Sequence, residues 1–265
     1  MIPKVLVLTG YGINCDMETQ HAFKLAGADA ERVHLTHLIN GTKTLSDYDI
    51  LAFPGGFSFG DDIASGKVLA NMIKYNIGEK IQEFIEAEKL IIGICNGFQA
   101  MVKMGLLPGF NSDYSTQEVT LTFNDSGRFE DRWVHLKTNR NSNCVFTKGI
   151  DGIYLPVRHG EGKFVVKTPQ VLARLKKNDH IVFQYVNPEG NFAGYPDNPN
   201  GSVDNIAAIC DETGRIFGMM PHPEAFQHRT NHPRWTREEL PEEGAGVAIF
   251  RNAVEFVKSE APQSL

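Results

Sequence analysis

The 265-residue sequence lacks the features that mark several specialised classes of protein. Its four cysteines, Cys15, Cys95, Cys144 and Cys210, lie far apart without a C-x-x-C pair, which argues against a disulfide framework and a zinc knuckle. The apolar run Met1–Leu8 is too short for a signal peptide or a membrane span, so we expect a cytoplasmic protein without a membrane partner. A net charge of −6 without basic clusters argues against nucleic acid as a partner.

Two glycine-rich stretches look like nucleotide-binding loops but lack residues that such loops need. Gly10-Tyr11-Gly12 follows an apolar run, yet Cys15 stands where G-x-G-x-x-G requires its third glycine. The stretch Gly60–Val68 has one residue too many between its glycines, and Val68 replaces the Ser or Thr that would hold magnesium. We therefore predict no nucleotide cofactor in this chain.

The first half of the chain alternates short apolar runs with segments of helical periodicity. We predict strands at Val5–Leu8, Val33–Leu35, Ile50–Phe53 and Leu90–Ile94, and helices at Asp16–Ala26, Ile63–Ile73 and Ile81–Ala87. Short apolar strands joined by helices indicate a parallel sheet that is covered on both faces. The site of such a sheet lies beyond the carboxyl ends of its strands, where Gly10–Asn14, Pro54–Asp62 and Cys95 fall.

After Pro108 the sequence changes to short β-branched and aromatic runs separated by Asn, Gly and Pro. These runs predict largely antiparallel strands appended to the sheet, at Glu118–Phe123, Trp133–Leu136, Gly152–Val157, Phe164–Val166 and Ile181–Tyr185. A loop (Asn187–Ser202), a hairpin-like pair (Ile206–Asp211 and Ile216–Met219) and a closing helix (Gly246–Lys258) follow. The expected fold is α/β, with a mostly parallel central sheet flanked by helices and an added antiparallel portion, in a single domain over residues 1–265.

The pattern around Cys95 is typical of a nucleophile elbow. An apolar strand, Leu90–Ile94, breaks at Cys95 into small and polar residues, and Gly93 and Gly97 flank the thiol as G-x-C-x-G. The turn would lift the sulfur out of the sheet toward the substrate and place Cys95 at a helix N-terminus, where backbone N–H groups favour a thiolate and can donate to an oxyanion. A buried structural cysteine is the alternative interpretation.

A base and a carboxylate follow the last predicted strand. His222 and Glu224 are two residues apart, so on an extended segment their side chains point the same way. A cysteine nucleophile needs a base, and the base needs a carboxylate that fixes its tautomer and orientation. Cys95, His222 and Glu224 supply this set, while a structural histidine beside a solvated glutamate is the alternative.

One further histidine pair has the spacing of metal ligands. His228 and His232 lie four residues apart and could share a helical face. Pro233 and the polar context favour exposed loop histidines instead. We therefore predict no metal ligand in this chain.

Separated motifs, in order over nearly the whole chain, together resemble a known family. The Cys95 and His222 motifs resemble the class I (triad) glutamine amidotransferases, whose fold is flavodoxin-like. The remaining motifs narrow the resemblance to the glutaminase subunits of phosphoribosylformylglycinamidine synthases. The stretches that carry it are Pro54-Gly55-Gly56-Phe57-Ser58-Phe59-Gly60-Asp61-Asp62, Gly93-Ile94-Cys95-Asn96-Gly97-Phe98-Gln99, Arg158-His159-Gly160-Glu161-Gly162, Met220-Pro221 and His222-Pro223-Glu224.

The resemblance implies a cysteine-dependent hydrolysis of L-glutamine. Cys95 would form a thioester and release ammonia, with His222 as base and then acid and Glu224 as its orienting group. Backbone N–H groups of Gly56 and Asn96 would form the oxyanion hole, because a Gly-Gly turn lets the backbone approach closely.

The resemblance also implies which residues hold the substrate. Gln99 and the turn of His159, Gly160 and Glu161 would hold the amino-acid end of glutamine, and Phe57 would shape the pocket or face a partner. The chain departs from many relatives at Ala225-Phe226, where an arginine often follows the triad glutamate, and in the added segment Gln227–Glu243. These departures bear on the partner interface.

A synthetase partner subunit follows from the same resemblance, and the partner set can include a small bridging subunit. The synthetase would bind ATP and magnesium and use the ammonia to convert formylglycinamide ribonucleotide to formylglycinamidine ribonucleotide in de novo purine biosynthesis. Three alternatives stay open: a glutaminase serving another ammonia acceptor, an ester or peptide hydrolase of the same fold group, and a non-catalytic cysteine redox or binding module of the same fold.

Overall fold

A nine-stranded sheet forms the centre of the computed structural model, which describes residues 1–260; residues 261–265 of the predicted domain lie outside this range. The strands are β1 (Lys4–Thr9), β2 (Asp29–His34), β3 (Ile50–Phe53), β4 (Leu90–Ile94), β5 (Val119–Thr122), β6 (Glu130–Thr138), β7 (Gly152–His159), β8 (Lys163–Val166), β9 (Ile181–Val186), β10 (Ile206–Cys210) and β11 (Ile216–Met219). The α-helices are α1 (Asp16–Leu25), α2 (Leu35–Ile39), α3 (Lys67–Glu86), α4 (Asn96–Met104), α5 (Pro169–Lys177) and α6 (Val247–Glu260).

The central sheet has the order β2-β1-β3-β4-β11-β10-β9-β6-β7. Neighbouring strands from β2 to β11 run parallel, and those from β11 to β7 run antiparallel. The α/β fold with a parallel sheet and an added antiparallel portion is therefore confirmed. β3 and β4 are buried along their whole length, as expected of strands covered on both faces.

Helices cover the sheet and contribute to one large hydrophobic core. α1 packs on α6 through Phe23 and Phe250, whose ring centroids lie 4.9 Å apart, whereas α3 packs on α4. Phe98 of α4 stacks on Phe164 of β8. Among residues 1–260, no helix combines the length and the apolar composition that a membrane crossing requires.

The structure corrects three of the predicted helices and strands in the first half. The helices expected at Ile63–Ile73 and Ile81–Ala87 form one element, α3, which is kinked at Ile77, where φ is −137°; a break between them is therefore present, but the long gap that was predicted is not. Ile63 itself lies before α3, with a positive φ of 70°. The strand expected at Val33–Leu35 ends at His34, because the His34 side chain accepts from the Thr36 N–H and caps α2.

The second half also differs from the prediction. β5 and β8 pair only with each other, in a separate two-stranded sheet, and do not extend the central sheet. The segment Pro169–Lys177 forms α5, which was not predicted, because only Val171 and Leu175 are buried and its apolar periodicity is brief. The loop over Asn187–Ser202, the antiparallel β10–β11 pair and the closing helix α6 are confirmed.

Candidate active site

Cys95 lies at the turn between β4 and α4, as the elbow pattern predicts. Its backbone has φ 49° and ψ −106°, a conformation that L-residues rarely adopt. The flanking glycines are required by close packing: a Cβ on Gly97 would lie 1.9 Å from the Phe53 carbonyl oxygen, and one on Gly93 would lie 2.3 Å from Met101 Sδ. The turn therefore lifts Cys95 out of β4 at the carboxyl end of the parallel strands.

Strand β11 brings the base next to the elbow. β11 runs parallel to β4, with Met219 opposite Ile94, and the Cys95 N–H donates to the Met219 carbonyl oxygen at 2.8 Å. The chain then turns, and the His222 N–H donates to the Pro156 carbonyl oxygen of β7 at 2.8 Å. Residues that are more than a hundred positions apart thus lie on neighbouring strand ends.

His222 and Glu224 form a closely paired and buried couple. His222 Nδ1 lies 2.5 Å from Glu224 Oε1, and the two residues are 2% and 3% exposed. Burial lowers the pKa of His222, but the Glu224 carboxylate and the Cys95 and Cys15 thiols raise it well above its usual range. The Cys95 thiol also donates to the Arg158 carbonyl oxygen at 3.6 Å. The predicted nucleophile, base and carboxylate are therefore brought together.

Asn96, directly after Cys95, is fixed by its side chain. Its Oδ1 accepts from the Ser58 N–H at 3.1 Å, and its Nδ2 donates to Asp61 Oδ1 and to Gln99 Oε1, both at 3.0 Å. These bonds tie the first turn of α4 to the loop after β3. The backbone N–H of Asn96 is consequently held at the elbow by three neighbours.

Gly56 lies in a loop that packs against the turn after β1. A Cβ on Gly56 would lie 2.6 Å from the Gly12 carbonyl oxygen, and its φ of 150° also favours glycine. The Phe57 N–H donates to the same oxygen at 2.8 Å, and the Cys15 N–H donates to the Gly55 carbonyl oxygen at 3.2 Å. Gly55 and Gly56 therefore hold the loop after β3 against the turn after β1, beside the elbow.

Two of the predicted substrate-binding residues, Gln99 and Glu161, are bonded to each other. Gln99 Nε2 donates to the Glu161 carbonyl oxygen at 2.6 Å, and the Glu161 carboxylate accepts from the Ser65 N–H at 3.3 Å. Their side-chain groups thus fix the walls of the site. Phe57 is partly exposed, and its ring centroid lies 6.1 Å from that of Phe129.

The turn that contains His159 and Gly160 is held by Asn124, which the sequence did not single out. Asn124 Nδ2 donates to the His159 carbonyl oxygen at 2.8 Å, and the Asn124 N–H donates to the Gly160 carbonyl oxygen at 2.9 Å. The buried His159 ring also lies against Asn124, with Nδ1 3.1 Å from Oδ1, and burial lowers its pKa to about 3. The His159 side chain is therefore buried and held by contacts within the protein.

The two candidate metal-ligating histidines have different partners. His228 Nε2 lies 2.6 Å from Glu242 Oε1 at the surface. His232 was expected to be exposed, but it is buried among the rings of Trp133, Tyr154 and Phe226, at centroid distances of 5.4–5.7 Å. The prediction was wrong for His232 because two of these aromatic residues, Trp133 and Tyr154, lie far away in the sequence.

Sequence reasoning also passed over Cys15 and Asp61 as site residues. Ligating atoms of Cys15, His222 and Glu224 all lie within 4.8 Å of one another. Asp61 accepts from Asn96, and burial raises its pKa. Their sequence positions, shortly after β1 and β3, could have identified them, because the segments that follow these strands were predicted to lie beyond the carboxyl ends of the sheet.

Comparison with known proteins agrees with this geometry. The CobB/CobQ-like glutamine amidotransferase domain matches residues 2–257. The chain is 51% identical to phosphoribosylformylglycinamidine synthase subunit PurQ of Dehalococcoides mccartyi, over 96% of this chain and 98% of that protein. It is 48% identical to PurQ of Methanococcus maripaludis, over 97% and 99% of the two chains.

A solved structure extends the comparison to three dimensions. A chain of the PurLQS structure from Thermotoga maritima superposes with a TM-score of 0.72 at 30% identity, and the match covers 97% of this chain and all of that one. The sequence and structural similarities thus run over nearly the full length of the chain. The chain therefore belongs to the CobB/CobQ-like glutamine amidotransferases, in the family of PurQ subunits of phosphoribosylformylglycinamidine synthase.

Proposed function

We propose that this chain is the glutaminase subunit of phosphoribosylformylglycinamidine synthase. It hydrolyses L-glutamine and supplies ammonia to a synthetase subunit for the ATP-dependent formation of formylglycinamidine ribonucleotide in purine biosynthesis. The single observation that supports this most strongly is the placement of Cys95 on the strand end next to His222, whose Nδ1 lies 2.5 Å from the Glu224 carboxylate. Full-length similarity to PurQ subunits supports formylglycinamide ribonucleotide as the acceptor of the ammonia.

The chemistry follows from the positions of these three side chains. His222 takes the proton of the Cys95 thiol, and the sulfur attacks the amide carbon of glutamine. The oxyanion accepts hydrogen bonds from the backbone N–H groups of Gly56 and Asn96. Protonated His222 donates to the departing nitrogen, so ammonia leaves and a thioester remains. His222 then takes a proton from water, which cleaves the thioester to glutamate and restores the thiol; Glu224 orients the imidazole throughout.

The activity test uses substitutions that leave the surroundings intact. Cys95→Ala should abolish glutamate release, because no nucleophile remains. Glu224→Gln should lower kcat by about 10²-fold or more, because His222 Nδ1 loses its charged partner.

Labelling by an electrophilic glutamine analogue, read by mass spectrometry, should modify Cys95 alone; modification elsewhere would contradict the proposed nucleophile.

Exposed apolar side chains lie on the loop after β3 and on the segment before β6. Phe57 and Phe129 lie side by side and are about half exposed, and Ile63 in the same loop as Phe57 is 88% exposed. We assign this apolar surface to the synthetase subunit, with a small bridging subunit as a further member of the complex. Co-expressed chains should comigrate in size-exclusion chromatography with glutamine; separate elution would contradict the assignment.

Two further properties belong to the same proposal. A single domain over residues 1–265 is supported by strand β11 of the second half, which lies between β4 and β10 in the sheet. One calorimetric transition with equal calorimetric and van't Hoff enthalpies would support this. The location is cytoplasmic, as the four free thiols favour a reducing compartment. Cell fractionation with an antibody against the chain tests the location.

A further inference from the structure

The end of the loop between β9 and β10 is buried against the turn that follows β7. This end reads Asn198-Pro199-Asn200-Gly201-Ser202, and Asn200 in its middle is 0% exposed. Loops normally run over the surface, and a buried amide needs hydrogen-bond partners inside the protein. The partners of Asn200 therefore show what this part of the loop holds.

The amide of Asn200 bridges its own loop and the ring of His159. Its Oδ1 accepts from the Ser202 N–H at 3.0 Å and from Ser202 Oγ at 2.6 Å, which assigns the oxygen end of the amide. Its Nδ2 donates to the Tyr185 hydroxyl oxygen at 3.2 Å and lies 3.4 Å from His159 Nε2. Both ends of the amide are thus occupied.

The other edge of the His159 ring is fixed by Asn124. Asn124 Oδ1 accepts from the Gly162 N–H at 2.9 Å and lies 3.1 Å from His159 Nδ1. An oxygen that faces Nδ1 requires a hydrogen on Nδ1, so Nε2 of the neutral ring carries the lone pair and accepts from Asn200. A Cβ on Gly162 would lie 2.3 Å from Cε1, so the ring rests directly on the backbone of Gly162.

The turn from His159 to Gly162 is a wall of the candidate active site. The carbonyl oxygen of Arg158, directly before the turn, accepts from the Cys95 thiol at 3.6 Å. The carbonyl oxygen of Glu161, within the turn, accepts from Gln99 Nε2 at 2.6 Å. A shift of the turn would therefore move backbone atoms that face the nucleophile and its helix.

We propose that Asn200 is a positioning residue for the turn that holds glutamine. Its amide donates to His159 Nε2 and keeps the imidazole in one orientation, and the imidazole supports the backbone of the turn through Gly162. Removal of the donor leaves the buried Nε2 without a partner, so the ring and the turn lose their fixed position. The effect on glutamine rests on the proposed function, whereas the bond between Asn200 and the ring does not.

NMR of the histidine nitrogens tests the bond to the ring in the full chain. Histidine is labelled with nitrogen-15, and His159→Gln identifies the signals of His159. In the parent chain Nδ1 should carry the hydrogen, and Nε2 should be a hydrogen-bonded lone pair. Asn200→Ala should move the Nε2 resonance, because the lone pair loses its donor.

Asn200→Asp changes only the donor end of the side chain. The carboxylate still accepts from Ser202 and gains the Tyr185 hydroxyl as a donor, so it stays ionised. An ionised oxygen opposite Nε2 favours a proton there. The His159 ring should therefore become an imidazolium at about pH 6, where the parent ring is neutral because burial lowers its pKa to about 3.

Steady-state kinetics of glutamate release tests the effect on the substrate. Asn200→Ala and Asn200→Asp should each raise KM for glutamine at least about tenfold and change kcat less than about threefold, because the turn meets the substrate while the nucleophile and base follow β4 and β11. A merely structural loss would instead lower the folded fraction, and with it the apparent kcat, at an unchanged KM. Circular dichroism measures that fraction.

Asn198→Ala is the matched control. Asn198 is a buried asparagine of the same loop that donates to the Ser202 carbonyl oxygen and to Asn205 Oδ1, both at 3.0 Å. Its removal should lower stability to urea but leave the Nε2 resonance in place and KM within about threefold of the parent value.

Several outcomes would overturn the proposal: a parent ring with its hydrogen on Nε2, an unchanged KM in the folded Asn200 variants, or an equal rise in KM in Asn198→Ala. If the parent chain released no glutamate, the proposed function would fail, and the Nε2 signals alone would decide whether Asn200 holds the ring.

Discussion

The most constrained single residue beside the nucleophile is Gly97. Its position allows no side chain, because a Cβ would overlap the Phe53 carbonyl oxygen. We expect Gly97→Ala to lower the free energy of unfolding by about 1–3 kcal/mol, since β3 and α4 must separate, and to lower glutaminase activity. Urea denaturation measures the stability.

Gly78 provides the matched control for Gly97. It lies within helix α3, and nothing lies within 4 Å of the Cβ that alanine would add. Gly78→Ala should raise the free energy of unfolding by about 0.5–1 kcal/mol through helix propensity. Equal effects of the two substitutions would show that the contact with Phe53 does not determine the packing.

His159 should make stability depend on pH. Its pKa is about 3 in the folded chain because it is buried, whereas an unfolded histidine titrates near its usual pKa of about 6.5. Between these values the unfolded state binds more protons, so stability falls as pH falls below about 6.5. From pH 7 to pH 5, the parent chain should lose about 2 kcal/mol more than His159→Gln.

Urea denaturation at both pH values checks this prediction. The comparison is internal to each protein, so any general destabilisation by His159→Gln cancels. His180, whose pKa is also lowered by burial, contributes equally to both chains. An identical loss of stability in the two chains would contradict the assignment to His159.

At the scale of elements, the loop after β3 holds the first turn of α4 in place through a hydrogen bond. Asp61 accepts from Asn96 Nδ2, and Asn96 carries a proposed oxyanion N–H. Asp61→Ala should lower kcat for glutamine hydrolysis about tenfold with a smaller change in KM, because a bond worth roughly 1.4 kcal/mol in orientation is lost. Asp61→Asn keeps an acceptor and should retain most of the activity; steady-state kinetics distinguishes the two.

Helix α5 shows why an element can escape prediction. Thr168 caps it by accepting from the Val171 N–H, and Pro169 occupies its first turn. Only Val171 and Leu175 are buried, so the apolar periodicity is too brief to stand out. By contrast, β3 and β4 were predictable because burial on both faces requires continuous apolar runs.

The cap of α5 gives a direct test of this local signal. Thr168→Ala should lower the free energy of unfolding by about 0.5–1 kcal/mol, because the Val171 N–H loses the Thr168 hydroxyl and keeps only the Thr168 carbonyl oxygen as its acceptor. Thr168→Ser retains the hydroxyl oxygen and should be close to neutral. Urea denaturation of the two variants checks the difference, and equal losses would point to packing of the threonine methyl group.

The candidate site was predictable where a local motif specified it. The elbow at Cys95 and the His222–Glu224 pair each follow from a few adjacent residues. Cys15 and Asn124 were not predicted, because their contacts join segments that only the sheet order brings together. The burial of His232 was not predicted for the same reason, since its aromatic neighbours come from β6, β7 and the turn after Glu224.

At the scale of the whole molecule, Ile63 combines exposure with backbone strain. It is 88% exposed and has a φ of 70°, which is rare for a β-branched residue. Ile63→Gly should stabilise the isolated chain by about 0.5–1 kcal/mol, because glycine relieves the backbone strain. The same substitution should weaken association with the synthetase subunit, because the apolar side chain is lost.

Ile63→Ala separates the two effects. Alanine keeps most of the backbone strain but removes most of the apolar surface, so it should weaken association without stabilising the chain. Size-exclusion chromatography with the synthetase subunit measures association, and urea denaturation measures stability. Unchanged association of both variants would remove Ile63 from the proposed interface.

The packing of Trp133 offers an optical view of the catalytic turn. Its ring lies 5.2 Å from that of Phe226, which follows Glu224 by two residues, and the sequence contains one other tryptophan, Trp235. With Trp235 replaced by phenylalanine, intrinsic fluorescence would come from Trp133 alone. Its emission would then report, without any attached dye, how the segment that carries the imidazole and its carboxylate responds when glutamine or a protein partner arrives.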